Sequence, residues 1–404
     1  MNWCQHYTLV IPTHNRSKLL RKLVQFLGHK ALPTAVKVLD SSRDEEQREN
    51  IHLCHHSPLN IEHVTFAPEI PFFEKLLDGL QGVSTQYVSL CADDDIVFPA
   101  AVKRCVEHLD CHTECAAAEG YSLFVFEKSP GYDVIELNYG APSIDGQQPI
   151  KRFRQLLSNY QSPFYAVYRT SVLTESLRRA ATTTPWCLSE LTQAFTSATH
   201  GQIHRIECVY NVKGIGPQAQ QYRYWHPTDW MNEDPDDFSC GYRRYRDALV
   251  EYCREVLPES QGRAATAKAM DILHAVYFCD SLRSLCGFGQ IASILGLSSR
   301  ERNGAVINSP RILLRTNAVR WAEKQYRRGC CMLERIKRVL SSRGVRRVPT
   351  GKGTEFGRYE LSNKVLRCVG RQSVQDILPD IDLYNTCGHK LTSTSLSLSV
   401  TDGA

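Results

Sequence analysis

The sequence predicts an α/β protein: a doubly wound, mixed and mostly parallel sheet, followed by a mostly helical C-terminal extension. Three observations predict it. Strand and helix periodicities alternate through the first 130 residues, the pattern of βαβ units. Three of the predicted strands end in polar clusters, and such sheets bind ligands at the carboxyl ends of their strands. From Tyr242 to about residue 348 the pattern becomes helical.

Taken in order, Tyr7-Thr8-Leu9-Val10-Ile11 is an apolar, β-branched run expected to stop at Pro12. Ser17 to Gly28 carries Leu19, Leu20, Leu23, Val24 and Leu27 on one helical stripe. Val36 to Leu39 is a second strand ending at Asp40-Ser41-Ser42, and Asn60 to Phe66 a third. Phe72 to Leu80 reads as a helix. Gln86 to Cys91 is a strand running into Ala92-Asp93-Asp94-Asp95, and Pro99 opens the next helix, where a first-turn proline is tolerated. Further on, Ala116–Phe126, Phe164–Tyr168 and Ile203–Val212 are strand-like, and Leu188–Ala198 is helical. Residues 214–240 are rich in Gly, Pro, Trp, Tyr and Asp and read as a long loop, a common form for a lid. Gly351 to Ala404 has weak periodicity and is expected to be disordered. No internal repeat is present.

Composition narrows the class. The chain has 404 residues, 42% hydrophobic and 23% charged, as in ordinary globular proteins. No apolar stretch reaches the roughly 18 residues of a membrane-spanning helix. Met1 to His6 lacks the basic and apolar regions of a secretory signal, so a cytoplasmic location is expected. The 16 cysteines are then read as reduced thiols; Cys111 and Cys115, or Cys330 and Cys331, lack companions at zinc-finger spacing. The net charge of +5 is uneven: residues 311–347 hold 12 Lys or Arg and two Glu, leaving 36 basic and 41 acidic residues elsewhere. This segment resembles a basic amphipathic helix, suited to an anionic lipid surface or, alternatively, to packing as a solvated face on the catalytic domain. No nucleic-acid-binding module accompanies it, and no nucleic-acid partner is expected.

Three clusters carry the chemistry. Asp93-Asp94-Asp95 repel one another, and a hard divalent cation, Mg²⁺ or Mn²⁺, is the natural partner at an open strand end. The plain alternative is an acidic turn capping the Pro99 helix. Pro12-Thr13-His14-Asn15-Arg16 offers backbone N–H groups and short side chains to a ligand, or a simple cap on the following helix. Asp40 can accept a hydrogen bond from a ribose or base, or cap the next segment.

These residues resemble a known family. Val10-Ile11-Pro12-Thr13-His14-Asn15-Arg16, Val38-Leu39-Asp40-Ser41-Ser42 and Leu90-Cys91-Ala92-Asp93-Asp94-Asp95 with Pro99 are similar, in order and spacing over about 120 residues, to the motifs of GT-A glycosyltransferases of the family 2 type. The LDSS and CADDD forms resemble a bacterial-type "TIGR" subgroup, with similarity extending through Pro163–Arg169 and Ser189-Glu190-Leu191 to about residue 230. The resemblance implies a GT-A fold with a transferase domain over 1–240, its nucleotide-binding half 1–115 and acceptor half 116–240; the periodicity beyond it divides the rest into a helical basic extension over 241–350 and a tail over 351–404. It implies that Pro12, Thr13, Asn15, Arg16, Asp40, Lys75 and Asp94 line the nucleotide pocket. Asp93 and Asp95 would form the metal-binding pair; His226, read from its place on the loop, is a late metal or phosphate ligand or an ordinary surface or packing histidine. Glu190 would be the base that takes the acceptor proton. Ala92 stands where the commoner motif has its first Asp, so the motif is shifted or degenerate, and which two of the three carboxylates do the work stays open. Trp225 and Trp230 are placed to stack on a sugar or to pack in the loop. The expected partners are a nucleotide-diphosphate sugar donor and a glycan or lipid-linked acceptor, with direct, inverting attack. A nucleotidyltransferase is the rival enzyme, but no glycine precedes Gly28 where its phosphate loop would lie. A non-catalytic nucleotide- or sugar-binding relative is the rival from another class.

Overall fold

The computed structural model describes residues 2–129, 132–158, 160–213 and 227–256, helical residues between 267 and 278, and 354–356, 359–361, 368–369 and 371–387. The segments 214–226 and 311–347, with Trp225, His226 and the basic stretch, lie outside the described residues.

Among the described residues the core is a mixed sheet of eleven strands with helices on both faces. Its first half alternates as expected: β1 (Tyr7–Thr13), α1 (Ser17–His29), β2 (Ala35–Asp40), α2 (Asp44–His55), β3 (Ile61–Thr65), α3 (Phe72–Leu80), β4 (Tyr87–Leu90), β5 (Ile96–Val97) and α4 (Pro99–Cys111). The second half contains β6 (Cys115–Ser129), β7 (Tyr132–Tyr139), α5 (Pro149–Ser158), β8 (Val167–Arg169), α6 (Thr170–Ala181), α7 (Trp186–His200), β9 (Gln202–Lys213), α8 (Pro227–Glu233) and α9 (Pro235–Val256). Strand order is β3-β2-β1-β4-β8-β6-β7, with β9 on β6 and β5 on β9. β1 pairs parallel with β2 and β4, whereas β8 runs antiparallel between β4 and β6. The doubly wound α/β class is therefore the one observed.

Burial on both faces explains the near-continuous apolar strands. Val10 enters a core with α3, α5, α6, α7 and α9, and its neighbours Leu9 and Ile11 enter the opposite core with α1 and α4. Pro12 does not end β1: the strand continues through Pro12↔Leu39 and Thr13↔Asp40. The fixed φ of proline suits an extended chain, and its missing N–H costs nothing where the ladder does not call on it. Trp230, expected in a loop, lies in α8 at 2% exposure and donates Nε1–H to Asp237 at 2.9 Å. Residues 227–233 and 235–240 are thus helical, with Trp230, Met231 and Phe238 packed into the core. Position 240, the expected domain boundary, lies inside α9.

The C-terminal segment is the largest departure. Within 351–404 the chain forms β10 (Thr354–Phe356), β11 (Tyr359–Leu361), α10 (Arg371–Gln375) and α11 (Leu378–Thr386). β11 extends the sheet by parallel pairing with β7, and Val374, Ile381 and Tyr384 complete the core beside α1. Short elements that borrow their partners from residues over 200 positions away leave almost no local periodicity. Tyr384 packs edge-on against Phe26 at 5.8 Å between centroids, with the Lys22 ammonium 4.1 Å from its ring centre. Tyr384→Ala is expected to cost about 3 kcal/mol, read as a shift in the urea midpoint; a disordered tail would give no change.

His274 supplies a pH-dependent term. It is fully buried in the α9 core, within 2.9 Å of both the Tyr245 hydroxyl and the Met270 carbonyl. Burial pulls its pKa from 6.5 down to about 4. The unfolded chain therefore binds this proton first, and stability is lost as pH falls from about 6.5 towards 4, by roughly 3 kcal/mol at ~1.4 kcal/mol per pH unit. Urea unfolding at pH 7 and pH 4.5 checks this, with the difference shrinking in His274→Gln.

Candidate functional site

The site begins where β1 ends. Asn15 adopts a left-handed conformation, φ +53°, which asparagine tolerates. Its N–H donates to Ser42 Oγ at 2.8 Å, and its Oδ1 accepts from the Arg43 N–H at 2.8 Å. The β1 and β2 ends are thereby stitched together. Neither Thr13 nor Asn15 caps α1: the N-cap is Arg16, without a side-chain cap bond, and the Ser17 N–H is taken by Glu46 at 2.7 Å. Arg16 reaches across to the turn after β4, placing Nη1 2.8 Å from Asp93 and Nη2 2.6 Å from Asp94.

The acidic triplet lies on the β4–β5 turn, closed by Asp95 N–H to Ala92 O at 3.2 Å. It does not cap α4, whose N-cap is Phe98 without a side-chain bond. Asp93 is 2% exposed; besides Arg16 it accepts from Thr13 Oγ1 at 2.7 Å. Burial pushes its carboxyl up to about 6, against the pull of Arg16 and Thr13. Among the described residues, no trio of ligating groups drawn from this triplet brings its atoms within 4.8 Å of one another.

Asp40 is fully buried. Its oxygens accept from the Ser42 N–H at 2.8 Å and the Asn50 amide at 3.0 Å, with His63 Nε2 3.1 Å away. Burial alone would raise its pKa, but these hydrogen bonds hold it below the ordinary value. Lys75 on α3 donates to the Thr13 carbonyl at 3.0 Å and Ser41 Oγ at 2.9 Å. Burial draws it down to about 8, opposed by Asp40 and Asp93. Both residues hold the strand ends in place from beneath.

The opposite wall was less visible in sequence. Glu190 is the fifth residue of α7, outside the first turn where a helix dipole would explain an acid. Tyr160 donates to its Oε1 at 3.4 Å. Burial raises its pKa, moderated by hydrogen bonding to Ser162, by Lys213 and by Tyr160. Lys213 closes β9; the register Ile96↔Val212 sets it beside the triplet. Its ammonium lies 4.4 Å from the ring centre of Tyr139 and 5.0 Å from that of Tyr165. Burial would lower its pKa, but Tyr139, Asp95 and Glu190 together raise it. Tyr165 in turn feels Asp95, Asp94 and Glu190. Lys213 is thus within electrostatic reach of both Asp95 and Glu190. Sequence reasoning missed Lys213 because only the β5–β9 pairing brings it there. Pro12, Thr13, Asn15, Arg16, Asp40, Lys75 and the triplet gather at the ends of β1, β2 and β4; His226 lies outside the described residues. A separate cavity of about 430 Å³, lined by Glu119, Ser143, Gln161 and Arg205 among others, includes none of these residues.

Fold and site together define an α/β protein with a charged, strand-end site in which Arg16 pairs with Asp93 and Asp94. No protein-family model matches the chain, and no curated protein matches it. Among solved structures it is similar to residues 1–349 of S. aureus TarS (12% identity, 74% of this chain and 77% of that chain, TM-score 0.46). It is also similar to the same protein in complex with UDP-GlcNAc (14%, 68% and 71%, TM-score 0.47). A third similar structure is a mannosyltransferase from Pyrobaculum calidifontis in complex with GDP-Man and Mn²⁺ (14%, 81% and 83%, TM-score 0.39).

Proposed function

We propose that this chain is a glycosyltransferase of the GT-A type that moves a sugar from a nucleotide-diphosphate donor to an acceptor hydroxyl with inversion, aided by a divalent cation. The observation that carries the reading is the charged cluster at the strand ends: Arg16 is paired with Asp93 and Asp94, and Lys213, beside Tyr139 and Tyr165, is within electrostatic reach of Asp95 and Glu190. The sequence motifs at the same strand ends support it, as do the donors named in the TarS and mannosyltransferase complexes.

Asp94 and Asp95 provide the hard oxygen donors that Mn²⁺ or Mg²⁺ prefers, and such ions are commonly held by one or two carboxylates plus substrate phosphates. When bound, the cation neutralises charge on the departing diphosphate. Asp93, with both oxygens engaged by Arg16 and Thr13, is assigned to positioning Arg16 and only indirectly to the cation. Glu190 accepts the proton of the acceptor hydroxyl as its oxygen attacks the anomeric carbon, while the bond to the diphosphate breaks on the opposite face. Lys213 and Arg16 meet the developing phosphate charge. Asp40 and Lys75 shape the nucleotide end of the pocket without presenting free surface of their own.

One observation favours a non-catalytic binding relative: Arg16 already compensates both Asp93 and Asp94. Titration of UDP, GDP and CDP with and without Mn²⁺, followed by assay of nucleoside diphosphate release from the matching sugar donors, separates the two. Metal-assisted binding with release, abolished in Asp95→Ala, supports the transferase. Binding without release to any acceptor favours the relative, and absence of binding in folded protein removes the donor site.

A further inference from the structure

We infer that the chain carries a second, structural metal site, of the zinc class, built from His108, Cys115 and His204. One ligating atom from each lies within 4.8 Å of the other two. The three come from different elements: His108 from the last turn of α4, Cys115 from the start of β6, His204 from β9. Parallel pairing of β6 with β9, including Cys115↔Gln202 and Ala118↔His204, brings them together. Cys115, without companions at zinc-finger spacing in the sequence, finds them here as histidines.

The details favour a ligand set over an incidental cluster. His108 Nε2 and His204 Nδ1 face each other at 2.9 Å, a geometry in which a proton holds the place a cation can take. His204 Nε2 is 2.7 Å from Gln202 Oε1; an amide oxygen can only accept, so Nε2 carries the hydrogen and Nδ1 keeps its lone pair. That is the outer-shell arrangement that orients histidine ligands. The Cys115 thiol is 1% exposed and has no hydrogen-bond partner among the described residues. A tetrahedral zinc ion would hold these atoms roughly 3.3–3.6 Å apart, from metal–nitrogen and metal–sulfur bonds of about 2.0 and 2.3 Å, so side-chain movements of about 1 Å assemble the site. Imidazole and thiolate ligands select zinc over the hard cations that suit the aspartates. His112 stacks on His108 at 3.9 Å between centroids with its Nδ1 2.8 Å from the His108 carbonyl and so braces that ring, leaving the fourth position to water.

The site is remote from the acidic triplet. β6 runs parallel to β4, since each is antiparallel to β8, so the start of β6 lies at the sheet edge opposite the β4–β5 turn. α4 spans the gap, about 20 Å at 1.5 Å per residue. The ion therefore clips α4, β6 and β9 together and takes no part in sugar transfer. Binding expels the Cys115 thiol proton, the hydrogen on His108 Nε2 moves to its other ring nitrogen, and only the metal–ligand bonds form.

The test is Co²⁺ titration of the reduced, metal-free full-length protein. One equivalent is expected to give visible d–d absorption and a near-ultraviolet thiolate-to-cobalt band, both bleached by one equivalent of Zn²⁺. Cys115→Ser should lose the thiolate band, and His204→Gln should weaken binding at least tenfold. Gln202→Ala, which leaves all three ligands in place, should weaken it about tenfold. Cobalt at the aspartates binds through oxygen and gives no thiolate band, so the outcome is independent of the transferase reading. Folded wild-type protein without that band, or an unchanged band in folded Cys115→Ser, overturns the inference.

Discussion

Glu190→Gln is expected to lower turnover by about 10²- to 10⁴-fold, the usual range for a general base, while donor affinity stays unchanged. The variant keeps the size of the side chain and the acceptor oxygen facing Tyr160, so the loss isolates proton abstraction. Burial raises the pKa of Glu190 above the ordinary carboxylate value. The acid limb of the wild-type kcat/KM profile should therefore lie above the ordinary glutamate range and should vanish from the residual activity of the variant. Stability should move the other way. A carboxylate whose pKa is raised on folding contributes stability when protonated and loses it as pH rises through the folded value. Glu190→Gln should thus be more stable than the parent at pH 8, with the gap closing in acid. Such trade-offs are common at active sites. A variant equally active at all pH values would remove Glu190 from the reaction.

Arg16→Met is expected to be the most damaging single change at the nucleotide wall. It leaves Asp93, 2% exposed, without its cation. Breaking a largely buried pair from one side costs about 3 kcal/mol. The Asp93 carboxyl already stands at about 6 with Arg16 in place, and loses its main counter-charge when Arg16 goes. The deficit should be smallest in acid, where Asp93 is protonated, and should grow as pH rises. Arg16→Met/Asp93→Asn should recover most of the stability, because the more deeply buried carboxylate is then removed with its partner and only Asp94, 16% exposed, loses its ion pair. It should not recover nucleotide binding, because the cation that meets the diphosphate is gone. Chemical unfolding at pH 6 and pH 8 with nucleotide titration separates the two effects. Equal recovery of both properties would mean that Arg16 serves only the fold.

The legible part of the molecule was its strand-end half. Apolar runs of four to seven residues ending in Asp40 and in the triplet declare themselves, because strands buried on both faces must be apolar throughout. The helix over Phe72–Leu80 was readable to its last residue, since its buried positions Phe73, Leu76 and Leu80 keep helical spacing. The division of labour within the site was not readable. Spacing places Asp93, Asp94 and Asp95 together, but only three-dimensional contacts assign Asp93 to Arg16 and Thr13. Lys213 could not be found from its neighbours, because its importance comes from a two-strand register and from no local motif.

The sequence by itself determined the fold class, the chain order of the strand ends and the acidic character of the turn after β4. All of these follow from short-range patterns of burial and charge. Tertiary structure alone decided that residues 354–387 complete the sheet and a core, that Lys213 lies within electrostatic reach of Asp95 and Glu190, and that Cys115 meets two histidines. Each of those facts includes at least one pair of residues about 90 or more positions apart, where chain periodicity carries no signal and only packing and strand pairing select the partner.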